Sequence, residues 1–267
     1  MRTSVAAIRS LALGGVGIAL FVVIWFGLSA RFGGTRVPSP SHVVYEFFVT
    51  VRHSPEVSIQ GGGTDGFLPS IVATGKHYLE GTFGGILISV VVLYGCARFR
   101  LVRAGLSPIV GILRTIPPLA VAPFFLLWFG TSSIAQSGLV SFYLFVMLFP
   151  PGVAAIDRTN WVLVQFGRTL GASPGVIASS IVFPSLIPEL AGPLRVAVSW
   201  SWGLVVVSEL LGAPQGLGKL VGGFMSFTAT DLVMVAIVWI LVMATITEIV
   251  LSVVLAYLTR WVPRDRA

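Results

Sequence analysis

The chain has 267 residues, of which 55% are hydrophobic and only 10% charged, with a formal net charge of +7. A soluble globular chain carries about 25% charged residues, so this composition, with its mean hydropathy of +0.95, excludes a water-solvated fold and requires lipid around much of the surface. In such a protein the positive charge fits basic loops on the cytoplasmic face and not a nucleic-acid partner.

In chain order the apolar runs predict six helical spans and an all-α polytopic membrane protein. The first span is 11–30, twenty positions without a charge, about the length that crosses hydrocarbon as a helix. Arg2 and Arg9 precede it, as in a signal peptide, but no clear cleavage site follows and more apolar runs do, which favours a retained helix. Pro38, Pro40, Pro55 and Gly61-Gly62-Gly63 mark 31–77 as turns and loops. Within it, 41–52 suits a short helix on the membrane surface, capped by Ser41, with Val43, Val44, Phe47 and Phe48 on one side.

The second span is 78–97. Thr115 to Ile156 then runs 42 residues without a charge, too many for one span. It divides into spans at 107–129 and 134–155 around a hairpin at Gly130-Thr131-Ser132-Ser133. The fifth span is 186–211 and the sixth 232–257. The expected organisation is therefore an N-terminal helix with its extracytoplasmic segment (1–77), a core transmembrane domain (78–257) with a cytoplasmic loop at 157–185, and a tail (258–267).

Positive charge orients the bundle. With the N-terminus inside, Arg2, Arg9, Arg98, Arg100, Arg103, Arg158, Arg168, Arg260, Arg264 and Arg266 are cytoplasmic, ten in all, against five outside: Arg31, Arg36, Arg52, Lys76 and Lys219. Both termini are thus expected in the cytoplasm. Cys96 is the single cysteine, so no internal disulfide forms, and His42, His53 and His77 lack metal-ligand spacing.

The loop between spans four and five is the most informative segment. Asn160 can cap a short helix from Trp161 to Leu170, and Gly171 allows the left-handed turn that ends it. Ser173-Pro174 starts a second helix, which Pro184 is expected to stop near Val182. Trp161, Val162, Leu163, Val164, Phe166 and Leu170 are too apolar for a solvated loop. They either dock another protein, rimmed by Gln165 and Arg168, or pack on their own spans.

Five charges fall within spans: Arg114, Glu189, Arg195, Glu209 and Glu248. Such charges face a partner or a cavity. Arg114 and Arg195 either snorkel and pair, with Glu189 as a candidate partner for Arg195, or meet an anionic solute. Glu209 suits a gate, a structural hydrogen bond or solute contact. Ser199 and Trp202, three apart, share a face that either lines a pathway or packs between helices. No catalytic set and no metal cluster is present. The closest approach to an ATP site, Ala213-Pro214-Gln215-Gly216-Leu217-Gly218-Lys219-Leu220, lacks the first Gly and the final Ser or Thr of a phosphate loop. The chain is expected to be no enzyme and to hold no cofactor.

The stretch Gln165-Phe166-Gly167-Arg168-Thr169-Leu170-Gly171-Ala172-Ser173, followed by Ile181-Val182-Phe183-Pro184, resembles the EAA loop of binding-protein-dependent ABC importer permeases. Gly171, Ile181 and Pro184 match that pattern's spacing, while Gln165, Phe166 and Gly167 stand where it has Glu-Ala-Ala, and Phe183 where it has Leu. Val37-Pro38-Ser39-Pro40, Arg114-Thr115-Ile116-Pro117-Pro118, Leu127-Trp128-Phe129-Gly130, Leu194-Arg195-Val196-Ala197 and Val207-Ser208-Glu209 are similar in order and spacing to the nitrate/sulfonate/taurine branch.

The resemblance implies a MetI-like fold in a bacterial inner membrane. It implies a homodimer with a solute path, two ATPase subunits that bind the ATP and Mg, and an extracytoplasmic solute-binding protein. It also implies that Trp161, Gln165–Arg168, Leu170–Pro174, Ile181 and Pro184 couple the bundle to the ATPase. The rival expectation, an ion-gradient-driven secondary transporter or channel, would need no ATPase and would show an inverted repeat or broken helices.

Overall fold

The computed structural model describes residues 2–59 and 65–262, and every regular element among them is helical. Gly61–Gly63 and Thr64 lie outside the described residues. The helices in order are α1 (Arg2–Phe32), α2 (Pro40–Val49), α3 (Pro55–Val57), α4 (Leu68–Arg98), α5 (Arg100–Leu113), α6 (Pro118–Phe129), α7 (Ser133–Arg158), α8 (Trp161–Thr169), α9 (Pro174–Ile177), a π-helical turn (Ala178–Val182), α10 (Phe183–Gly212), α11 (Leu217–Ser226) and α12 (Thr230–Leu258). Among the described residues five stretches are long and apolar enough to cross a membrane, and the pair α5–α6 makes a sixth if it counts as one span.

The third span is not the continuous helix expected over 107–129. The axes of α5 and α6 meet at 103°. Pro117 and Pro118 are the cause. Neither has an N–H to donate, and each disfavours helical backbone in the residue before it. The chain therefore stops at Leu113 and restarts with Pro118 in the first turn of α6. The second span also begins ten residues earlier than expected, at Leu68. The polar residues that masked it are accommodated, Lys76 by Glu80 one turn on at 3.8 Å and Thr74 and His77 by burial.

The chain forms two compact units, Met1–Ser70 with Leu220–Trp239, and Ile71–Lys219 with Ile240–Ala267. In the first, α1 is tied to the following segment by a 2.9 Å bond from Trp25 Nε1 to the Pro38 carbonyl. Ser39, not Ser41, caps α2, since Pro40 takes the first helical position and the Ser39 hydroxyl accepts the His42 N–H. The apolar residues of α2 divide between two sides. Val43 is buried and Phe47 stacks on Trp239 at 4.2 Å, whereas Val44 and Phe48 are exposed.

The second unit has an apolar core of its own. Antiparallel α7 and α10 pack through Val140, Leu144, Leu148, Ala197, Val198 and Val205, with Tyr78 of α4 stacked on Trp202 at 4.0 Å. Helix α4 approaches α7 so closely that a Cβ at Gly81 would lie 2.8 Å from the Ser137 carbonyl oxygen, and one at Gly85 2.9 Å from that of Ser141. Without a hydrophobic drive between helices in lipid, small residues that let backbones meet are what hold such pairs together. Ser141 Oγ adds a 2.9 Å bond to the Gly81 carbonyl.

Candidate functional site

The loop after α7 folds as an exposed, hydrogen-bonded corner. The Asn160 side chain accepts the Val162 N–H at 3.1 Å and starts α8. Gly171, at φ +78, ends it. The Ala172 N–H reaches back to the Gly167 carbonyl and the Gly171 N–H to that of Arg168, both at 3.0 Å. These two bonds are the reverse turn that satisfies the last carbonyls of a helix. Ser173 then caps α9, accepting the Val176 N–H at 3.4 Å.

Helix α9 does not stop before Pro184. It runs through the π turn into α10, so that Pro174–Gly212 is one continuous helical stretch of 39 residues. The π turn lets the Phe183 N–H bond the Ala178 carbonyl, and this wider register accommodates the prolines, which have no donor of their own. The loop is thus covalently and helically continuous with the fifth span.

Only one apolar residue of α8 turns inward. Val164 packs with Ile177 and Val182, flanked by Ala97, Ala172 and Ile181. A Cβ at Gly167 would sit 3.3 Å from Ile181 Cδ1, so the small residue sets the close approach of α8 to the π turn. Val162, Leu163, Phe166 and Leu170 stay at least half exposed, and Trp161, Gln165 and Arg168 are exposed beside them. Of the two alternatives for these side chains, packing on the chain's own spans accounts for Val164 alone. A cleft of about 420 Å³ opens beside this face, lined by Tyr94, Arg98, Trp161, Arg168 and Pro174.

Glu189, Arg195 and Glu248 are paired, though Glu189 and Arg195 not with each other. Glu189 accepts from Arg158 at 2.8 Å, and Arg195 pairs with Glu248 at 3.2 Å. Glu189 precedes Arg195 by six positions, which places the two on different faces of one helix. Glu248, without an evident partner in the sequence, also lies 3.2 Å from Ser199 Oγ. Arg103 grips both oxygens of Asp157. Arg114 is exposed at the α5–α6 bend, where its N–H bonds the Val110 carbonyl at 2.9 Å.

Ser199 and Trp202 part company. Ser199 is exposed, whereas Trp202 belongs to the buried stripe 198, 201, 202, 205 of α10 and donates from Nε1 to Thr247 Oγ1 at 3.0 Å. Glu209 is 1% exposed. Its Oε2 accepts from Thr74 Oγ1 at 2.8 Å and from the Gly218 N–H at 3.0 Å, and its Oε1 lies 2.8 Å from His77 Nδ1. The Gly218 N–H belongs to the first turn of α11, where free N–H groups favour a negative charge. Among the uses open to Glu209, the structural hydrogen bond is the one this geometry displays. His77 was not among the candidate residues. Nothing in its local sequence separates it from a surface histidine.

A family model described as "Binding-protein-dependent transport system inner membrane component" matches residues 81–266. The chain is 28% identical over 204 residues to the taurine transport system permease protein TauC of Escherichia coli (strain K12), covering 74% of each chain. It is 30% identical over 214 residues to the nitrate import permease protein NrtB of Synechococcus elongatus, covering 77% of this chain and 74% of that one. It is 25% identical over 245 residues to the putative aliphatic sulfonates transport permease protein SsuC of Bacillus subtilis (strain 168), covering 91% and 85%. A chain of the MetNI methionine ABC transporter, solved in an inward-facing conformation, has a similar fold. Its TM-score is 0.57 at 19% identity, covering 72% of this chain and 96% of that one.

Proposed function

Because this chain belongs to the binding-protein-dependent transport system inner membrane component family, we propose that it is the permease subunit of an ATP-driven importer whose ATPase docks on the α8 face. Two copies of the chain form the solute path, two separate ATPase subunits bind the ATP and Mg, and an extracytoplasmic solute-binding protein delivers the substrate. The solute is a small anion or sulfonate-bearing molecule, a class supported by the names of the taurine, nitrate and sulfonate relatives. Both termini and the α8 corner lie in the cytoplasm, supported by the ten-to-five distribution of basic residues.

The observation that carries this reading is the α8 corner. Its apolar face is exposed, its start is capped by the Asn160 side chain, its bend at Gly171 is fixed by backbone hydrogen bonds, and its second arm is the start of α10. A partner that seats on Phe166 and Leu170 therefore pushes on a helix that reaches the other side of the membrane. Rigid-body transmission of this kind needs packed contacts and a stiff element between the two ends.

The α5–α6 break is a feature a gradient-driven transporter would also have, and one experiment separates the two readings. The chain is co-expressed with its cognate ATPase and reconstituted into liposomes with the binding protein, and uptake of taurine or nitrate is followed with and without internal ATP. Uptake should require ATP and the ATPase. Replacing Phe166 and Leu170 together by Glu should abolish both ATPase co-purification and uptake while leaving the melting temperature of the chain unchanged. Uptake by the chain alone would overturn the proposal.

A further inference from the structure

The exposed face of α10 is unlike a lipid-facing surface. Gly192, Arg195, Val196, Ser199, Trp200 and Gly203 follow one another at helical spacing, and all six are exposed. A Cβ at Gly192 or Gly203 would meet nothing within 4 Å. Within this stripe Arg195 reaches across to Glu248 of α12, Nε to Oε1 at 3.2 Å, and Ser199 Oγ lies 3.2 Å from the other carboxylate oxygen.

The depth of this cluster is what matters. Arg195 is twelve residues into α10 and Glu248 ten residues from the end of α12. At 1.5 Å per residue Arg195 lies about 4 Å from the midpoint of α10 and Glu248 about 6 Å from that of α12, so a hydrocarbon layer about 30 Å thick centred on these helices has the pair in its central part. The side chains of the pair are nevertheless 49% and 39% exposed. An ion pair half open to hydrocarbon at that depth is strongly disfavoured, and ionisable residues within spans face a cavity or a partner. Arg158 and Arg103, which also pair, sit at helix ends where water is within reach.

We infer that Arg195, Glu248 and Ser199 form a water-exposed anion subsite on the solute path, in which Glu248 holds the Arg195 guanidinium until an anionic group replaces it. The inference rests on the importer reading above and adds the residues that would meet the solute. The guanidinium has donors beyond Nε for a planar oxyanion such as a nitrate or sulfonate group. Ser199 supplies a further hydroxyl donor once it turns from Glu248. In the resting pair the two charges nearly cancel, so the path carries little fixed charge until one partner is removed.

The test exploits the single native cysteine. In a Cys96→Ser background, Ser199→Cys in the complete membrane complex is treated with an anionic sulfonate-bearing and a cationic trimethylammonium-bearing methanethiosulfonate. Reaction is followed without nucleotide and in the vanadate-trapped state. Both reagents should react in at least one state. The anionic-to-cationic rate ratio should rise about tenfold or more with Glu248→Gln and fall by a similar factor with Arg195→Gln, as expected for a unit charge at about 7 Å in a partly screened site. If Ser199→Cys does not assemble, Val196→Cys on the same face replaces it. A face that reacts with neither reagent in either state, or whose ratio ignores both charge changes, would overturn the subsite. ATPase co-purification and binding-protein-stimulated hydrolysis, measured on the same samples, report on the importer reading separately.

Discussion

His77 on α4 and Glu209 on α10 meet inside the protein, Nδ1 to Oε1 at 2.8 Å, with 3% and 1% of their surfaces exposed. The contact does not stand alone. The Leu217 N–H donates to Thr74 Oγ1 at 2.8 Å, and His77 Nε2 lies 3.2 Å from Ser133 Oγ at the start of α7. One carboxylate thus ties α4, α7 and the first turn of α11 to α10. Removing it leaves Thr74, His77 and the Gly218 N–H without their acceptor in a site that water does not reach. Breaking a buried charged contact from one side costs about 3–5 kcal/mol. Glu209→Ala should therefore lower the melting temperature in detergent sharply, whereas Glu209→Gln, which keeps an acceptor oxygen, should lose less. Equal losses would mean that the carboxylate does not organise these donors.

Gly171 tests the corner from the backbone side. At φ +78 it occupies a conformation that costs a β-branched residue about 1–2 kcal/mol, although a Cβ there would meet nothing within 4 Å. The strain, and not a clash, is what a substitution introduces. Gly171→Val should leave the transmembrane bundle folded, reduce the yield of ATPase that co-purifies and slow uptake in parallel. Gly171→Asn, tolerated in left-handed backbone, should restore most of both. Unchanged complex yield with valine would show that the turn can open without consequence.

The spans and the corner were legible in the sequence for a simple reason. Apolar run length, Asn160, Gly171 and Ser173-Pro174 are local signals. The structure obeys the corner signals closely, whereas the apolar runs located the spans but not their starts, α4 beginning ten residues before the expected position. Proline was the misleading local signal. Pro117-Pro118 broke a span that composition alone read as continuous, while Pro184 failed to break one because a π turn absorbed it. The side-chain pairings were not legible, since Arg195 with Glu248 and His77 with Glu209 join helices 53 and 132 residues apart in the chain. Pairing of that kind is set by how α4, α10 and α12 pack, and no spacing rule along one helix contains it.

The α4–α7 contact makes a prediction about packing. A methyl at Gly81 would fall within 2.8 Å of both the Ser137 carbonyl oxygen and Val140. Backbone cannot yield as a side-chain end does, so the helices must separate. Overpacking of this kind costs about 1–3 kcal/mol. Gly81→Ala should lower the melting temperature measurably, and Gly81→Leu should prevent purification of a folded chain. Gly105→Ala, where nothing lies within 4 Å, is the control and should be neutral or slightly stabilising. Similar behaviour at the two positions would mean that α4 and α7 have room between them.

Topology is decided by reporters on opposite sides of the proposed membrane. Thr64, a natural choice for the outside, lies outside the described residues, but Asp65 beside it is exposed. Leu170, 71% exposed on the α8 corner, serves for the inside. In the Cys96→Ser background, Asp65→Cys should react with an impermeant maleimide added to intact spheroplasts, and Leu170→Cys only after the membrane is opened. The ATPase should protect Leu170→Cys when it is present, because the same face is the proposed seat. Each span reverses the side, so two reporters separated by α4, the α5–α6 pair and α7 must disagree if the bent pair crosses, and must agree if it turns back as a re-entrant loop. Agreement would remove α5–α6 from the count of spans, and agreement on the outside would also place the apolar corner where no ATPase can reach it.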